Sequence, residues 1–201
     1  MRMKIPRNQH FILMEILPSE STYQYCCELF YFSMKPLQSV VLRIFQLYNP
    51  ELWEQYKRQK AMMTVHKAVS TSLEYHLFHE TTIRLEHLAA NGLDSKLSRY
   101  AGILGYGTYF SLHAKTASLM NLVYNPDFGH VIVLARVLVG ENTVGRPGLQ
   151  APPFKPDGQQ FEFCVNNTDR PTRFVIFKEK YSFPHFIILY KHFRDSVHLV
   201  F

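Results

Sequence analysis

The feature that most constrains this chain is the apolar run over residues 131–139, which only Arg136 interrupts. Its valine, isoleucine and leucine residues favour a β-strand. A strand that is apolar at nearly every position, rather than at every second one, is typically covered on both faces. The run therefore predicts a central strand of a sheet with other elements packed on both sides.

Further strands are predicted before and after this run. They lie over residues 11–17, which Pro18 ends, over 75–79, and over 173–177 and 186–190, with Pro184 in the turn between the last two. An aromatic-rich run follows the first of them at residues 23–32. The Gly- and Pro-rich segment 140–160 is expected to be an ordered excursion between strands rather than a linker.

Two helices are predicted in the first third of the chain. The first depends on apolar residues three or four apart, which would share one buried face: Val40, Val41, Ile44 and Leu47. The second begins at Asn49-Pro50-Glu51, where a cap, a first-turn proline and an acidic residue follow one another. Shorter helices are predicted over residues 82–90, closed by Asn91-Gly92, and over residues 114–122.

This order of elements, with helices early and short strands late, predicts an α+β fold with a mainly antiparallel sheet. A chain of 201 residues fits one compact domain with a core of its own. We expect residues 1–201 to form that single domain, with an early helical part at about 33–70 and a sheet-rich core at about 73–201.

The sequence predicts an intracellular protein, in the nucleus and/or the cytoplasm. No window has the roughly 18 uncharged apolar residues of a membrane span, and the first residues lack a secretory signal. Three cysteines suit neither a disulfide scaffold nor a Cys-x-x-Cys metal site. The net charge is +6, but the basic residues are scattered, so nucleic acid is not the expected partner. His76 and His79 lie three apart on a predicted strand and are not expected to share a metal.

Six motifs then occur in one order along the chain: His79, Gly105-Tyr106-Gly107-Thr108-Tyr109-Phe110, Arg136-Val137-Leu138-Val139-Gly140, Pro152-Pro153, Cys164-Val165 and Phe174-Val175-Ile176-Phe177. Over nearly the whole chain this order resembles the catalytic domain of the PARP family of diphtheria-toxin-like ADP-ribosyltransferases. The segment 49–57 resembles the opening of that domain in the subgroup around the TCDD-inducible PARP and the zinc-finger antiviral protein. The resemblance implies a split, mainly antiparallel sheet with flanking helices.

The resemblance also implies a chemistry and a set of site residues. The chemistry is cleavage of the bond between nicotinamide and ribose in NAD+, the substrate, and transfer of ADP-ribose to a protein acceptor without a metal. His79 matches the ribose-binding histidine, and Tyr109 matches the tyrosine that flanks nicotinamide. The other matched positions are Glu80 and Thr81 after His79, Gly107 in the turn motif, Ala117, Ser118 and Met120 on the following helix, and Arg173 at the third catalytic position.

Four of these residues depart from the family's pattern. Glu80 replaces a glycine whose backbone grips the nicotinamide amide, and Arg173 would oppose positive charge that develops on the ribose. Ala117 lacks the hydroxyl of the family's serine, although Ser118 is one residue away, and Met120 lacks the ring of its aromatic residue.

These departures suggest that Glu80 and Arg173 form a buried ion pair in the space that nicotinamide would occupy. Two functions follow from the sequence. One is a mono-ADP-ribosyltransferase, since no glutamate is at the third position to support polymer formation. The alternative is a catalytically inactive domain of the same fold that serves as an interaction or regulatory module.

Overall fold

A computed structural model describes residues 10–35, 38–65, 74–93, 99–119 and 129–193. These residues contain ten strands: β1 (Ile12–Ile16), β2 (Ser39–Tyr48), β3 (Glu74–Glu80), β4 (Arg99–Gly102), β5 (Gly105–Ser111), β6 (His130–Leu138), β7 (Asn142–Val144), β8 (Phe163–Val165), β9 (Arg173–Ile176) and β10 (Ser182–His192). They form one sheet in the order β1-β2-β10-β6-β3-β5-β9-β8-β7, with β4 paired to β5. Every pairing is antiparallel except that of β7 with β8. The predicted α+β fold with a mainly antiparallel sheet is confirmed.

Helices cover both faces of this sheet. They are α1 (Ser21–Tyr31), α2 (Pro50–Val65), α3 (Leu85–Asn91) and α4 (Ala114–Ser118), and a 3-10 turn lies at Glu179–Tyr181. Buried residues of α1 and α4 share one apolar cluster with Ile132 and Leu134 of β6, on what we call the α1 face. Buried residues of α2 and α3 share the other with Val133 and Ala135, on the α2 face. β6 is therefore the central, doubly covered strand that its apolar run predicts.

The start of α2 confirms the helix predicted from Asn49-Pro50-Glu51. The Leu52 N–H donates to Asn49 Oδ1 at 3.1 Å, which satisfies one of the free backbone donors of the first turn. The Asn49 side-chain amide in turn donates to Ala89 O at 2.9 Å and so ties the start of α2 to α3.

The helix predicted from Val40, Val41, Ile44 and Leu47 is wrong, because these residues belong to strand β2. Their spacing has two causes. The pairing of β10 with β2 jumps from Leu189↔Arg43 to Tyr190↔Val41, and this β-bulge places the buried Val41 and Ile44 three apart in the cluster of the α1 face. Leu47, three residues after Ile44, is buried in the other cluster, on the α2 face. Within the predicted early part at about 33–70, the described structure has the strand β2 followed by the helix α2.

Three smaller differences concern element boundaries and types. The aromatic-rich run at 23–32 lies mostly in α1, which buries Cys26 and Phe30 one turn apart. Pro184 is inside β10, at a register irregularity before Phe186, and not in a turn between strands. Of the helix predicted over 114–122, the structure has Ala114–Ser118, and residues 120–122 lie outside the described residues.

Candidate active site

The pairing between β3 and β5 stops after one pair of described residues, Phe78 and Ser111. Beyond that pair, the Thr81 N–H donates to Val131 O on β6 at 3.1 Å. Backbone groups of successive strand residues point in alternate directions. The N–H and C=O of Glu80 therefore face away from β6, into the gap between β3 and β5. This gap is the split that the resemblance predicts in the sheet.

His79 bridges the gap from its β3 side. Its Nδ1 lies 2.8 Å from the backbone oxygen of Tyr109 on β5. Because a carbonyl only accepts, Nδ1 carries the proton, and in the neutral ring Nε2 is left as an acceptor. Burial lowers the pKa of His79 to about 4, although the hydrogen bond to Tyr109 opposes this. The imidazole is therefore neutral at physiological pH.

The Tyr109 ring is fixed beneath the β4–β5 hairpin. Its hydroxyl donates to Gly105 O at 2.7 Å and accepts from the Leu104 N–H at 3.0 Å. A Cβ on Gly102 would lie 2.3 Å from the Tyr109 hydroxyl, so the hairpin needs a glycine there. The ring itself is buried, with 4% of the residue exposed.

Two further predicted site residues, Gly107 and Thr81, have structural roles. A Cβ on Gly107 would lie 2.6 Å from Ile176 O, so Gly107 is required for the close approach of β5 and β9. Thr81 is buried, and its Oγ1 accepts from the Ile83 N–H at 3.1 Å, which shapes the chain as it leaves β3.

The Glu80 side chain turns to the β6 and β10 side of β3. Its Oε1 accepts from the Tyr190 hydroxyl at 2.9 Å and lies 3.2 Å from His130 Nδ1, while Oε2 is buried with no hydrogen-bond partner in the described structure. Burial raises the pKa of Glu80, and the contacts with His130 and Tyr190 oppose that rise. A buried carboxyl with an unsatisfied oxygen is rare in folded proteins.

The predicted ion pair between Glu80 and Arg173 is wrong. Arg173 is the exposed first residue of β9, two strands from β3 beyond β5. The partners of Glu80 are on β6 and β10, on the other side of β3. Arg173 instead pairs through its backbone with Ser111 and Asn166, whose Oδ1 accepts from its N–H at 2.9 Å.

The helix after β5 brings part of the predicted amide-binding set to the α1 face. Ala117 is 2% exposed and belongs to the apolar cluster of that face. The Ser118 hydroxyl donates to Lys115 O at 2.9 Å, within its own helix. Met120 lies outside the described residues.

The sequence matches several known ADP-ribosyltransferases over most of the chain. It is 30% identical to human protein mono-ADP-ribosyltransferase PARP14 over 194 residues, or 92% of the chain. It is 31% identical to mouse PARP12 over 156 residues and 28% identical to mouse PARP11 over 174 residues, 75% and 74% of the chain. The chain is a PARP-type catalytic domain of the mono-ADP-ribosyltransferase subgroup. It spans 10%, 21% and 51% of the length of these three relatives. No family model matches the chain.

The candidate site includes residues that the sequence did not single out. His130 and Tyr190 hold the carboxylate of Glu80, and Ile187 lies in one cross-strand row with Val133 and His79. His130 directly precedes the apolar run of β6, and Tyr190 ends the predicted strand at 186–190. These positions mark both residues in the sequence, but neither position indicates which strand lies beside β3.

In the described ranges, no group of three or more His, Cys, Asp or Glu side chains is arranged to hold a metal ion. None of the helices described for this PARP-type domain is long and apolar enough to cross a membrane.

Proposed function

We propose that this PARP-type domain is an NAD+-dependent protein mono-ADP-ribosyltransferase. The observation that carries the proposal is the gap between β3 and β5, across which His79 Nδ1 bonds to Tyr109 O at 2.8 Å. This bond orients a neutral imidazole whose other nitrogen accepts hydrogen bonds. In the proposal that nitrogen accepts from a hydroxyl of the adenosine ribose.

The nicotinamide end of NAD+ is assigned to the backbone of Glu80. The N–H and C=O of this residue face the gap, and an amide can pair with one donor and one acceptor at once. The side chain of Glu80 leaves the gap toward Tyr190 and His130, so a residue larger than glycine is compatible with this grip. Tyr109 supplies a fixed, mostly apolar ring nearby.

For the third catalytic position we propose Ile187 in place of Arg173. Val133 pairs with His79 on one side and with Ile187 on the other, so these side chains share one row on the same face of the sheet. Arg173 is exposed on β9 and belongs to a different row, with Ser111. An apolar third residue is what the family's mono-transferases carry, whereas polymer formation requires a glutamate there.

The chemistry follows from what surrounds the ribose. The carbon–nitrogen bond to nicotinamide breaks, nicotinamide leaves with the bonding electrons as a neutral molecule, and a nucleophile of the acceptor protein attacks the cationic ribose carbon and loses its proton. A neutral His79 and a distant Arg173 place no positive charge against this cation.

The test uses NAD+ labelled in its adenylate part and measures label on protein together with nicotinamide release. Changing His79→Ala is expected to lower both by about 100-fold, because the ribose contact is lost. His185→Ala is the control, since His185 is a half-buried histidine that lies on β10 against Gln46 and Arg136. Digestion of the labelled protein should release single ADP-ribose units. Chains of ADP-ribose, or equal losses in both variants, would contradict the proposal.

A non-catalytic interaction module is the second candidate. Ala117 favours it, because a buried methyl occupies the position of the family's amide-binding serine. Calorimetry with an unhydrolysable NAD+ analogue separates the two candidates. Binding by the unmodified chain supports the transferase, whereas binding only after Glu80→Gly with Ala117→Ser supports a domain whose pocket no longer accepts NAD+.

A further inference from the structure

Glu80 combines two features that the proposed reaction does not use. Its carboxylate is buried, with a side chain only 3% exposed, and both of its contacts converge on one oxygen, Oε1. The other oxygen, Oε2, is buried and has no hydrogen-bond partner in the described structure. Buried polar atoms without partners are unusual enough to indicate a ligand or a water that completes them.

The groups around this carboxyl partly offset the effect of burial on its charge. The Tyr190 hydroxyl donates to Oε1, and His130 Nδ1 lies at 3.2 Å from the same atom. His130 and His192 also act on the carboxyl through their charge, which each carries only when protonated. A protonated Oε2 would bury an O–H without an acceptor, whereas an ionised one has no hydrogen-bond donor in the described structure.

The position of this charge relates it to the gap. The backbone groups of the same residue face the gap between β3 and β5. When these backbone groups hold the amide of a nicotinamide ring, covalent and hydrogen-bond lengths place that ring within about 10 Å of the Glu80 carboxylate. That is about one Debye length, and burial weakens screening further.

We propose that the Glu80 carboxylate selects the cationic nicotinamide ring of NAD+ over the neutral ring of its reduced form. This inference rests on the proposed function, because it requires the nicotinamide end to occupy the gap. The cationic ring then supplies a permanent positive charge, whereas His130 and His192 near the carboxylate are charged only when protonated, and Glu80 becomes a specificity-determining residue of the site.

Calorimetry with two probes tests the inference: carba-NAD+, which is cationic and is not cleaved, and NADH, whose ring is neutral. In the unmodified chain carba-NAD+ should bind more tightly. In Glu80→Gln, which keeps an oxygen for Tyr190 but removes the charge, the ratio of the two dissociation constants should fall about tenfold. The fall should come from carba-NAD+, with NADH binding changed less than about twofold.

Two controls separate charge from structure. Glu80→Asp keeps the charge on a shorter side chain and should keep most of the preference, which a loss caused by altered packing would not. Glu74→Gln removes a carboxylate that also bonds a tyrosine, at the other end of β3 and about 20 Å from Glu80 along the strand. It should leave the preference unchanged.

The outcomes distinguish this inference from the proposed function. Binding of both probes with the same ratio in the unmodified chain and Glu80→Gln overturns the inference and leaves the transferase proposal intact. An equal fall in Glu74→Gln also overturns it, because the effect would then come from overall charge. Failure of the unmodified chain to bind either probe overturns the proposed function and the inference together.

Discussion

The two ends of β3 stabilise a glutamate carboxylate in different ways. Each carries a glutamate that accepts from a tyrosine hydroxyl: Glu74 from Tyr56 at 2.6 Å, and Glu80 from Tyr190 at 2.9 Å. At the Glu74 end, Lys60 and Arg136 approach the carboxylate as well, at 2.9 Å and 3.4 Å. At the Glu80 end the second contact is His130, and one oxygen has no partner in the described structure.

The pKa values of the two glutamates shift in opposite directions as a result. Burial by itself would raise the pKa of Glu74, but hydrogen bonds from Tyr56 and Lys60 and the charge of Arg136 outweigh it, and the pKa is lowered. At Glu80, burial prevails over His130 and Tyr190, and the pKa is raised. Glu80 is also the more deeply buried of the two, with a side chain 3% exposed against 19% for Glu74. The comparison teaches that the depth of burial and the type of partner together decide the protonation of a carboxylate, because Lys60 and Arg136 carry a permanent charge and a histidine does not.

The largest expected effect comes from removing the tyrosine hydroxyls. Tyr190→Phe should lower the free energy of unfolding by about 2 kcal/mol, because the buried carboxylate of Glu80 then loses the Tyr190 hydrogen bond, and the nearby His130 and His192 are charged only when protonated. Tyr56→Phe should cost about 1 kcal/mol or less, because Lys60 and Arg136 still bind Glu74. Urea unfolding at neutral pH measures both. Equal losses would show that the two ends do not differ as described.

The second prediction concerns pH. The lowered pKa of Glu74 means that its ionised form stabilises the fold above the ordinary carboxyl pKa, and that this contribution is lost as pH falls through the lowered value. Glu74→Gln should therefore cost about 1 kcal/mol at pH 7, and less in acid. The raised pKa of Glu80 has the opposite sign: stability is present below the ordinary carboxyl pKa and is lost as pH rises through the raised one.

Glu80→Gln should accordingly stabilise the domain at neutral pH, by less than the Glu74→Gln loss, with the gain disappearing in acid. Unfolding free energies of the three proteins at neutral and acidic pH provide the measurement. Two variants that change stability with the same sign at neutral pH would refute the opposite shifts. A stabilised Glu80→Gln that also loses its preference for carba-NAD+ would show that this carboxylate serves binding and not the fold.

The smallest effect is expected at the exposed edge of the Glu74 network. The Lys60 side chain is 42% exposed, so its bond to Glu74 is screened by solvent and salt. Lys60→Met should cost about 0.5 kcal/mol or less, and added salt should reduce that loss. Lys57→Met, whose exposed partner is Glu54 within the same helix, is the matched control. A loss at Lys60 as large as that of Tyr56→Phe would mean that the lysine, and not the tyrosine, dominates at this end.

Local sequence patterns predicted those elements whose signals are local. The apolar run of β6 and the cap, proline and acidic residue at the start of α2 gave correct elements because each depends on neighbouring residues. The prediction for β2 failed because a bulge opposite Leu189 sets Val41 three residues from Ile44, and because Leu47 is buried on the other face of the sheet. Both causes depend on partner elements, and the resulting spacing of three is also the spacing of a helix.

In the candidate site, too, positions along one strand were predictable and partners on other strands were not. The sequence predicted that a strand ends at His79, and the structure places His79 one residue before the end of β3. The resemblance matches Glu80 to a glycine position, and the structure gives its side chain Tyr190, not Arg173, as a partner. Choosing between Arg173 and Tyr190 requires knowing that β6 and β10 lie on one side of β3 and β5 and β9 on the other.

By itself the sequence determined the fold class, the central strand and the start of α2, because capping and apolar runs act over a few residues. The tertiary structure alone decided which donors reach each carboxylate. Glu74 and Glu80 are six residues apart on one strand, yet the strands and helices beside them carry different side chains. The resulting opposite pKa shifts are set by partners up to 110 residues away in the chain, a distance at which local patterns carry no information.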